Sequence, residues 1–403
     1  MCREIIFCVV SMYFIYFLCL FLGVVNIGIP ILYYLFQNRL MSRPWNISND
    51  KGYRPSITML VPTYNEEKMI ELKLKNLSKL KYPKKLLEIL IIDSASTDNT
   101  IDITMKFVNS HPELNIKILR EKERLGKSKA LNFGLEKAKG DVIVVSDSDC
   151  FLPSDTLIKA IPYLNDPTVG AVAGLEVILN TEQSWIGYSE KTYRSFMDVI
   201  KIGQSKISST IIFEGGFSAY KRKFLDKFDE DTGCDDSGTA LNVVQNGART
   251  LILPDVPFFT FFPKKWKSKI MIKYRRAAHL IKIWLKCVKL MFKGDLKVPF
   301  SIIIPNLFLF LINPIILPFL IIVTIFIIIK YITILAPLLI PLFILAFLVP
   351  QIRIICIEYV QNNIILLISM LALLFNKDFT VWKIPEDKKN IMISDILYKE
   401  KLI

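Results

Sequence analysis

Between residues 53 and 254, short apolar runs alternate with stretches in which apolar residues recur every three or four positions. The runs 57–61, 88–92, 116–119, 141–146 and 169–173 are rich in Val, Ile and Leu and have strand length, whereas 66–80, 97–110, 127–139 and 154–164 carry helical spacing. Regular strand–helix alternation predicts an α/β unit built on a mostly parallel sheet with right-handed crossovers. No internal repeat or low-complexity tract interrupts it.

The flanks follow a different pattern. Residues 5–38 contain no charged side chain, a longer stretch than the roughly 20 apolar residues a bilayer span requires. A secretory signal has an apolar core of only about 7–15 residues ending in small side chains, so a membrane anchor is the better reading. A second apolar block, 298–350, is interrupted only by Lys330, and a weaker third runs from 359 to 375. Two C-terminal spans are expected, with a third allowed. Pro305, Pro314, Pro318, Pro337, Pro341 and Pro350 do not oppose this, because prolines are tolerated in membrane helices.

Just before these blocks, Trp266, Ile270, Tyr274, Ala277, Ile281, Trp284, Val288 and Phe292 step by three or four, and no acidic residue lies between Asp255 and Asp295. Such a helix is expected to lie in the cytoplasmic leaflet. The alternative is a helix packed on the soluble part with its basic face solvated. The expected partition is an anchor at 1–38, an α/β domain at 39–263, an interfacial helix at 264–297, a membrane region at 298–375 and a polar tail at 376–403.

Composition agrees with this outline: 403 residues, 52% of them hydrophobic, are too many for one ordinary domain and too apolar to be wholly soluble. Arg39, Arg43, Lys51 and Arg54 follow the first span and a Lys/Arg run precedes the second, which predicts an integral membrane protein with the α/β domain in the cytoplasm. Anionic lipid then accounts for the net charge of +14, and no nucleic-acid partner is needed. The seven cysteines show no C-x-x-C spacing, so neither a zinc site nor a disulfide framework is indicated, and Cys150 and Cys234 are read as packing residues.

Candidate chemistry gathers at predicted strand ends. Asn65-Glu66-Glu67, Asp93, Asp98 and Asp147-Ser148-Asp149 each fall just past an apolar run, at the edge where parallel α/β sheets bind ligands. Asp147 and Asp149 offer two hard oxygen ligands through which Mg²⁺ or Mn²⁺ could bridge to a diphosphate. Singly, each signpost could be no more than a helix N-cap. Together they point to nucleotide-sugar chemistry.

Val61-Pro62-Thr63-Tyr64-Asn65-Glu66-Glu67, Asp93-Ser94-Ala95-Ser96-Thr97-Asp98, Gly126-Lys127-Ser128-Lys129-Ala130-Leu131-Asn132 and Asp147-Ser148-Asp149, in this order, resemble the inverting family-2 glycosyltransferases. The resemblance covers about residues 55–280. It implies a GT-A fold, a nucleotide-diphospho-sugar donor, a UDP-sugar before others, and a divalent metal on the two aspartates. Position by position it assigns Thr63, Asn65, Glu66 and Asp93 to the nucleoside, Lys127 to the donor side, Asp147 to the ribose or sugar beside the metal, and Asp149 to the metal. Gly215-Gly216-Phe217 resembles the acceptor-side glycine motif, where a missing side chain admits a sugar. For the base that deprotonates the acceptor, the family's acidic pair corresponds to Asp235-Asp236, with Asp236 first and Asp235 as the alternative.

Polymerising members carry Q-x-x-R-W after this domain. Here that register holds Ile272, Arg275 and Arg276, so Arg275 is kept for the diphosphate while Gln and Trp are lost. Single transfer to a lipid-linked or glycan acceptor is therefore expected over processive polysaccharide synthesis or transfer to a polyprenyl phosphate. A non-catalytic nucleotide-sugar sensor is opposed by the presence of Asp149 and Asp236, and a transporter by the lack of paired repeats. The resemblance also puts the tail after Phe375, with Trp382, on the cytoplasmic side, which demands an even number of C-terminal spans.

Overall fold

The structure, a computed structural model, describes residues 2–375 and 393–403. Its centre is a seven-stranded sheet in the order β3-β2-β1-β4-β6-β5-β7. The strands are β1 (Ile57–Thr63), β2 (Leu87–Asp93), β3 (Ile116–Arg120), β4 (Val142–Val145), β5 (Val169–Ile178), β6 (Ser218–Lys221) and β7 (Arg249–Thr260). Only β6 runs against the others, pairing antiparallel with both β4 and β5. The sheet is therefore the mostly parallel one that the alternation predicts.

The period of two along β1 explains why its residues are nearly all apolar. Ile57, Met59 and Val61 face one core with Ile70, Leu74 and Leu77, while Leu60 faces another with Ala130 and Leu131. Those partners come from α1 (Ile70–Ser78) and, across the sheet, α2 (Lys127–Lys137). A strand covered on both faces has no solvent side to mark with polar residues. The further helices α3 (Trp185–Ile207), α4 (Asp235–Gln245) and α5 (Trp266–Phe292) complete the body around the site.

Two strands and one helix were not legible in advance. β6 is four residues, Ser-Ala-Tyr-Lys, without an apolar run. β7 contains Pro254 and Pro257, which argue against a central strand, but β7 is an edge strand with a register shift against β5, where proline is tolerated. The helix Trp185–Ile207 buries Glu190, Arg194 and Lys201, so its inward face reads as polar.

Among the described residues, three helical stretches are long and apolar enough to cross a bilayer: Tyr13–Met41, Phe300–Tyr331 and Pro350–Leu374. The first lies within the helices Cys2–Gly23 and Ile29–Met41, which are joined by the π-helical turn Val24–Gly28. Its last turns pack on the helix Trp185–Ile207 so closely that a Cβ on Gly203 would meet Gln37 Oε1 at 2.4 Å. Tyr34 stacks on Phe196 with ring centroids 4.4 Å apart. The end of the expected anchor is thus a wall of the α/β body.

The third stretch extends the weaker apolar block expected at 359–375 toward the N-terminus. It is one continuous helix beginning at Pro350, and the charges that shortened it in the sequence are satisfied: Glu358 pairs with Lys269 and Lys273, and Arg353 donates to the Phe347 carbonyl at 3.3 Å. Both lysines are buried, whereas Lys267, Arg276 and Lys289 of the helix Trp266–Phe292 are exposed. Along the predicted apolar stripe Ala277, Ile281 and Trp284 are buried, whereas Trp266 and Phe292 at the two ends are exposed.

Ile393, Leu397, Leu402 and Ile403 pack back on Met69, Phe151 and Phe261, so this segment lies on the same side as the sheet. Trp382 and the start of the tail lie outside the described residues.

Candidate active site

Loops at the carboxyl ends of β1, β2 and β4 form the floor of a cavity of about 1030 Å³. The first two are joined side to side. Asn65, in the left-handed region at φ 52°, donates its N–H to Ser96 Oγ at 2.9 Å and accepts from the Thr97 N–H at 2.8 Å. Asparagine is among the residues that tolerate this conformation. The Glu66 N–H donates to Thr100 Oγ1 at 2.8 Å, and Thr63, Tyr64, Asn65, Glu66 and Ser94 line the cavity. Asp93, however, is fully buried behind the wall, where it accepts from the Ser96 N–H and faces Arg120 at 3.5 Å.

Past β4, Asp147-Ser148-Asp149 forms the opposite lip. Beneath it the buried Lys73 donates to Ser146 Oγ at 2.7 Å and to the Cys150 carbonyl at 2.6 Å, gripping the loop at both ends. Asn76, one turn on, bonds both the N–H and the carbonyl of Leu152. Lys73 and Asn76 lie three apart and so share one face of Ile70–Ser78.

The helix Lys127–Lys137 begins at Gly126, whose φ of 104° suits glycine, and delivers Lys127 into the cavity. Its ammonium reaches Asp147 at 2.7 Å and Asp235 at 3.0 Å. Burial opposes that charge, yet Asp147, Asp235 and Asp236 outweigh it and hold the lysine well above its ordinary pKa. Asp147 is pushed up to about 6, first by burial and then by Asp149 and Asp235, with Lys127 opposing.

Asp235 and Asp236 open the helix Asp235–Gln245, where carboxylates suit the helix dipole. Asp236 Oδ1 accepts from the Ser237 N–H at 2.6 Å and from Cys234 Sγ at 2.8 Å. Burial raises its pKa and Asp235 raises it further, while Lys127 opposes. The neighbouring carboxylates therefore differ: Asp235 is tied to Lys127, and Asp236 is held toward its protonated form.

Gly215 and Gly216 supply the space. A Cβ on Gly215 would come within 2.6 Å of Lys127 Nζ and 2.9 Å of Asp147 Oδ2, and one on Gly216 within 2.1 Å of Phe258. From above, Trp266–Phe292 brings Ile272, Lys273, Arg275 and Arg276 to the cavity. Arg275 lies near Cys234, Asp235 and Asp236, although burial and then Arg276 hold its pKa down.

One group of lining residues was not anticipated. Arg194 pairs with Glu176, with Glu190 at 3.3 Å and with Glu214 at 3.4 Å, and Lys201 reaches Glu214 at 2.8 Å. Lys273 joins from the next helix, 3.1 Å from Glu190. The available signal was a charged stripe, since Glu190, Arg194 and Lys201 recur at four and seven residues on one helical face.

The donor set suits a divalent cation. Ligand atoms of Asp147, Asp149 and Cys150 all lie within 4.8 Å of one another. Two carboxylates beside a sulfur favour a hard cation on the oxygens, because burial keeps the Cys150 thiol well above its ordinary pKa and hence protonated.

Residues 58–229 match the family model for glycosyl transferase family 2. The β-monoglucosyldiacylglycerol synthase of Nostoc sp. is 34% identical over 149 residues, 36% of this chain and 31% of that protein. The poly-β-1,6-N-acetyl-D-glucosamine synthase of Staphylococcus epidermidis is 27% identical over 213 residues, 53% and 50% respectively. The chain thus spans a third to a half of the length of these curated relatives. Among solved structures, the mannosyltransferase PcManGT from Pyrobaculum calidifontis, in complex with GDP-Man and Mn²⁺, superposes with a TM-score of 0.76 at 32% identity, over 90% of this chain and all of that one.

Proposed function

Because the chain belongs to glycosyl transferase family 2, we propose that it transfers a sugar, with inversion, from a nucleotide-diphospho-sugar to a hydroxyl group presented at a membrane face. The observation that carries this reading is the sharing of Lys127 between Asp147 and Asp235, with Asp236 beside them in the same cavity. Asp147 and Asp149 would hold a divalent cation, which neutralises charge on the diphosphate when bound.

The remaining roles belong to side chains. Thr63, Asn65 and Glu66 line the nucleoside end, with Asp93 fixing Ser96, whose hydroxyl accepts from the Asn65 N–H. Asp236 accepts the proton of the acceptor hydroxyl as the oxygen bonds to the anomeric carbon. The bond from that carbon to the diphosphate oxygen breaks, and its electron pair leaves with the nucleoside diphosphate. Lys127 and Arg275 supply positive charge on the leaving-group side. Both hydrogen bonds to Asp236 fall on Oδ1, which leaves Oδ2 for the proton.

A base of this kind supports a hydroxyl acceptor over a phosphate, because a phosphate monoester is already ionised near neutral pH and needs no deprotonation. The similarity to a mannosyltransferase bound to GDP-Man makes GDP-mannose the first donor to try, ahead of the UDP-sugars.

The test is nucleoside-diphosphate release by the full chain in detergent with Mn²⁺ or Mg²⁺, across a donor panel and with total membrane lipid as acceptor. Release from one donor should vanish with a chelator and fall at least about 100-fold in Asp236→Asn. Undiminished release by Asp236→Asn would remove the base assignment. Metal-independent release would remove the metal.

A further inference from the structure

The cavity has a second arm that sugar transfer from a nucleotide does not use. Its wall is made by Met197 of the helix Trp185–Ile207, Leu280 and Ile283 of the helix Trp266–Phe292, and Phe310, Ile365 and Leu366 of two apolar helices of bilayer length. Phe310 lies in a π-helical turn within the stretch Phe300–Tyr331, and Ile365 and Leu366 belong to Pro350–Leu374. Two stretches able to cross a bilayer therefore contribute an apolar wall to the same cavity as the D-x-D lip. These six side chains offer a glycan no hydrogen-bonding group, whereas a hydrocarbon chain would gain contact with each; Asn362, which also lines the cavity, accepts from Lys273 at 2.9 Å.

The same cavity is also lined by the charged group on Glu176, Glu190, Arg194, Lys201, Glu214 and Lys273. Its charges are mutually committed: Arg194 to three glutamates, Lys201 to Glu214 and to Asp198 at 2.7 Å, and Lys273 to Glu190 and to Glu358 at 2.7 Å. Such a plate offers N–H donors and carboxylate acceptors in alternation, the pattern that sugar hydroxyls satisfy because each both donates and accepts. A phosphate dianion placed there would meet Glu176, Glu190 and Glu214 as well as the cations.

Resting on the transfer reading above, we propose that the acceptor is a lipid whose reacting end is an uncharged sugar, with the sugar on the charged plate and the hydrocarbon chain in the arm lined by Phe310, Ile365 and Leu366. The accepting class is thus a neutral glycolipid, and the free polyprenyl phosphate is excluded.

The experiment presents the full chain, in phosphatidylcholine nanodiscs with Mn²⁺ and the donor that supports turnover, with methyl and dodecyl glycosides of glucose, mannose and N-acetylglucosamine, and separately with a C55 polyprenyl phosphate. One dodecyl glycoside should be extended with a KM at least tenfold below that of its methyl counterpart, and the polyprenyl phosphate should not be. Leu366→Trp, and independently Met197→Trp, should shrink that tenfold gap to less than threefold by raising KM for the dodecyl glycoside. Nucleotide binding by each variant reports that the donor half is folded. Equal KM for methyl and dodecyl glycosides, product on the polyprenyl phosphate, or nucleotide release without extension of any alkyl glycoside would each overturn the inference while leaving sugar transfer in place. Absence of nucleotide release from every donor, total membrane lipid included, would instead defeat the reading on which it rests.

Discussion

Asp236 lies under two opposed influences, burial and Asp235 lifting its pKa and Lys127 lowering it, with the lift prevailing. If it is the base, activity is lost as pH falls through that raised pKa, so the acid limb of the kcat/KM profile should stand above the usual aspartate range near 4. Replacing Asp235 by Asn removes one cause of the lift and should move the limb to lower pH. An unmoved limb would mean that another group sets it. At this scale the sequence was most informative where chemistry dictates residue type. Asn65, Lys127, Asp147, Asp149 and Asp236 all line the cavity: Asn65, Asp147 and Asp149 from strand ends, Lys127 and Asp236 from helix starts. Asp93 shares that signature yet stands behind the wall, since a strand-end carboxylate can equally serve to hold a neighbouring loop through Ser96. Gly215 and Gly216 are explained only by what lies across from them, and Gly216→Val should abolish transfer through collision with Phe258, measurable as lost product with nucleotide binding retained.

Among the elements, those with one dominant environment were legible and those with two were not. Strands 57–63, 87–93 and 142–145 are sandwiched between apolar layers and announce themselves. The helix Trp185–Ile207 buries Glu190, Arg194 and Lys201 as well as Ile200 and Ile202, so its inward side mixes charged and apolar residues. The helix Pro350–Leu374 was read too short for a related reason: a buried Glu358 resembles a boundary until its partners on another helix are known. That carboxylate neutralises two buried lysines, and removing one member of such a cluster typically costs about 3–5 kcal/mol. Glu358→Leu should therefore lower the thermal midpoint markedly, read by static light scattering in detergent, and Glu358→Gln, which keeps hydrogen-bonding capacity, should lower it less.

For the whole molecule, the expected division into an α/β domain and a membrane region is blurred by a shared core. Leu241 and Val244 of the helix that Asp236 opens pack in one cluster with Ile281, Trp284, Ile302, Phe310 and Ile365. Trp284 stacks on Phe310 with centroids 5.7 Å apart. Linear periodicity could place each of these on an apolar face but could not say that the faces meet. The segment 393–403 closes the body from behind, with Leu402 accepting from Asn76 at 2.8 Å and Leu397 beside Phe151, two residues past Asp149. Burying an aliphatic side chain contributes about 1.5–3 kcal/mol, so deleting 393–403 removes several such terms at once. The shortened protein should melt earlier and be cut by protease near residue 151 sooner than the full chain. Unchanged proteolysis there would show that the segment is a passive covering.

The close seating of Ile29–Met41 on Trp185–Ile207, at a glycine that lets the two helices touch, has a consequence for how substrates meet. With that contact made by side-chain packing, the position of the catalytic cavity relative to the first apolar helix is set by the fold. A lipid acceptor would then reach it by lateral diffusion in two dimensions, while the nucleotide donor arrives from bulk water. Initial rates should follow the mole fraction of acceptor in the membrane and be indifferent to the number of vesicles that carry it.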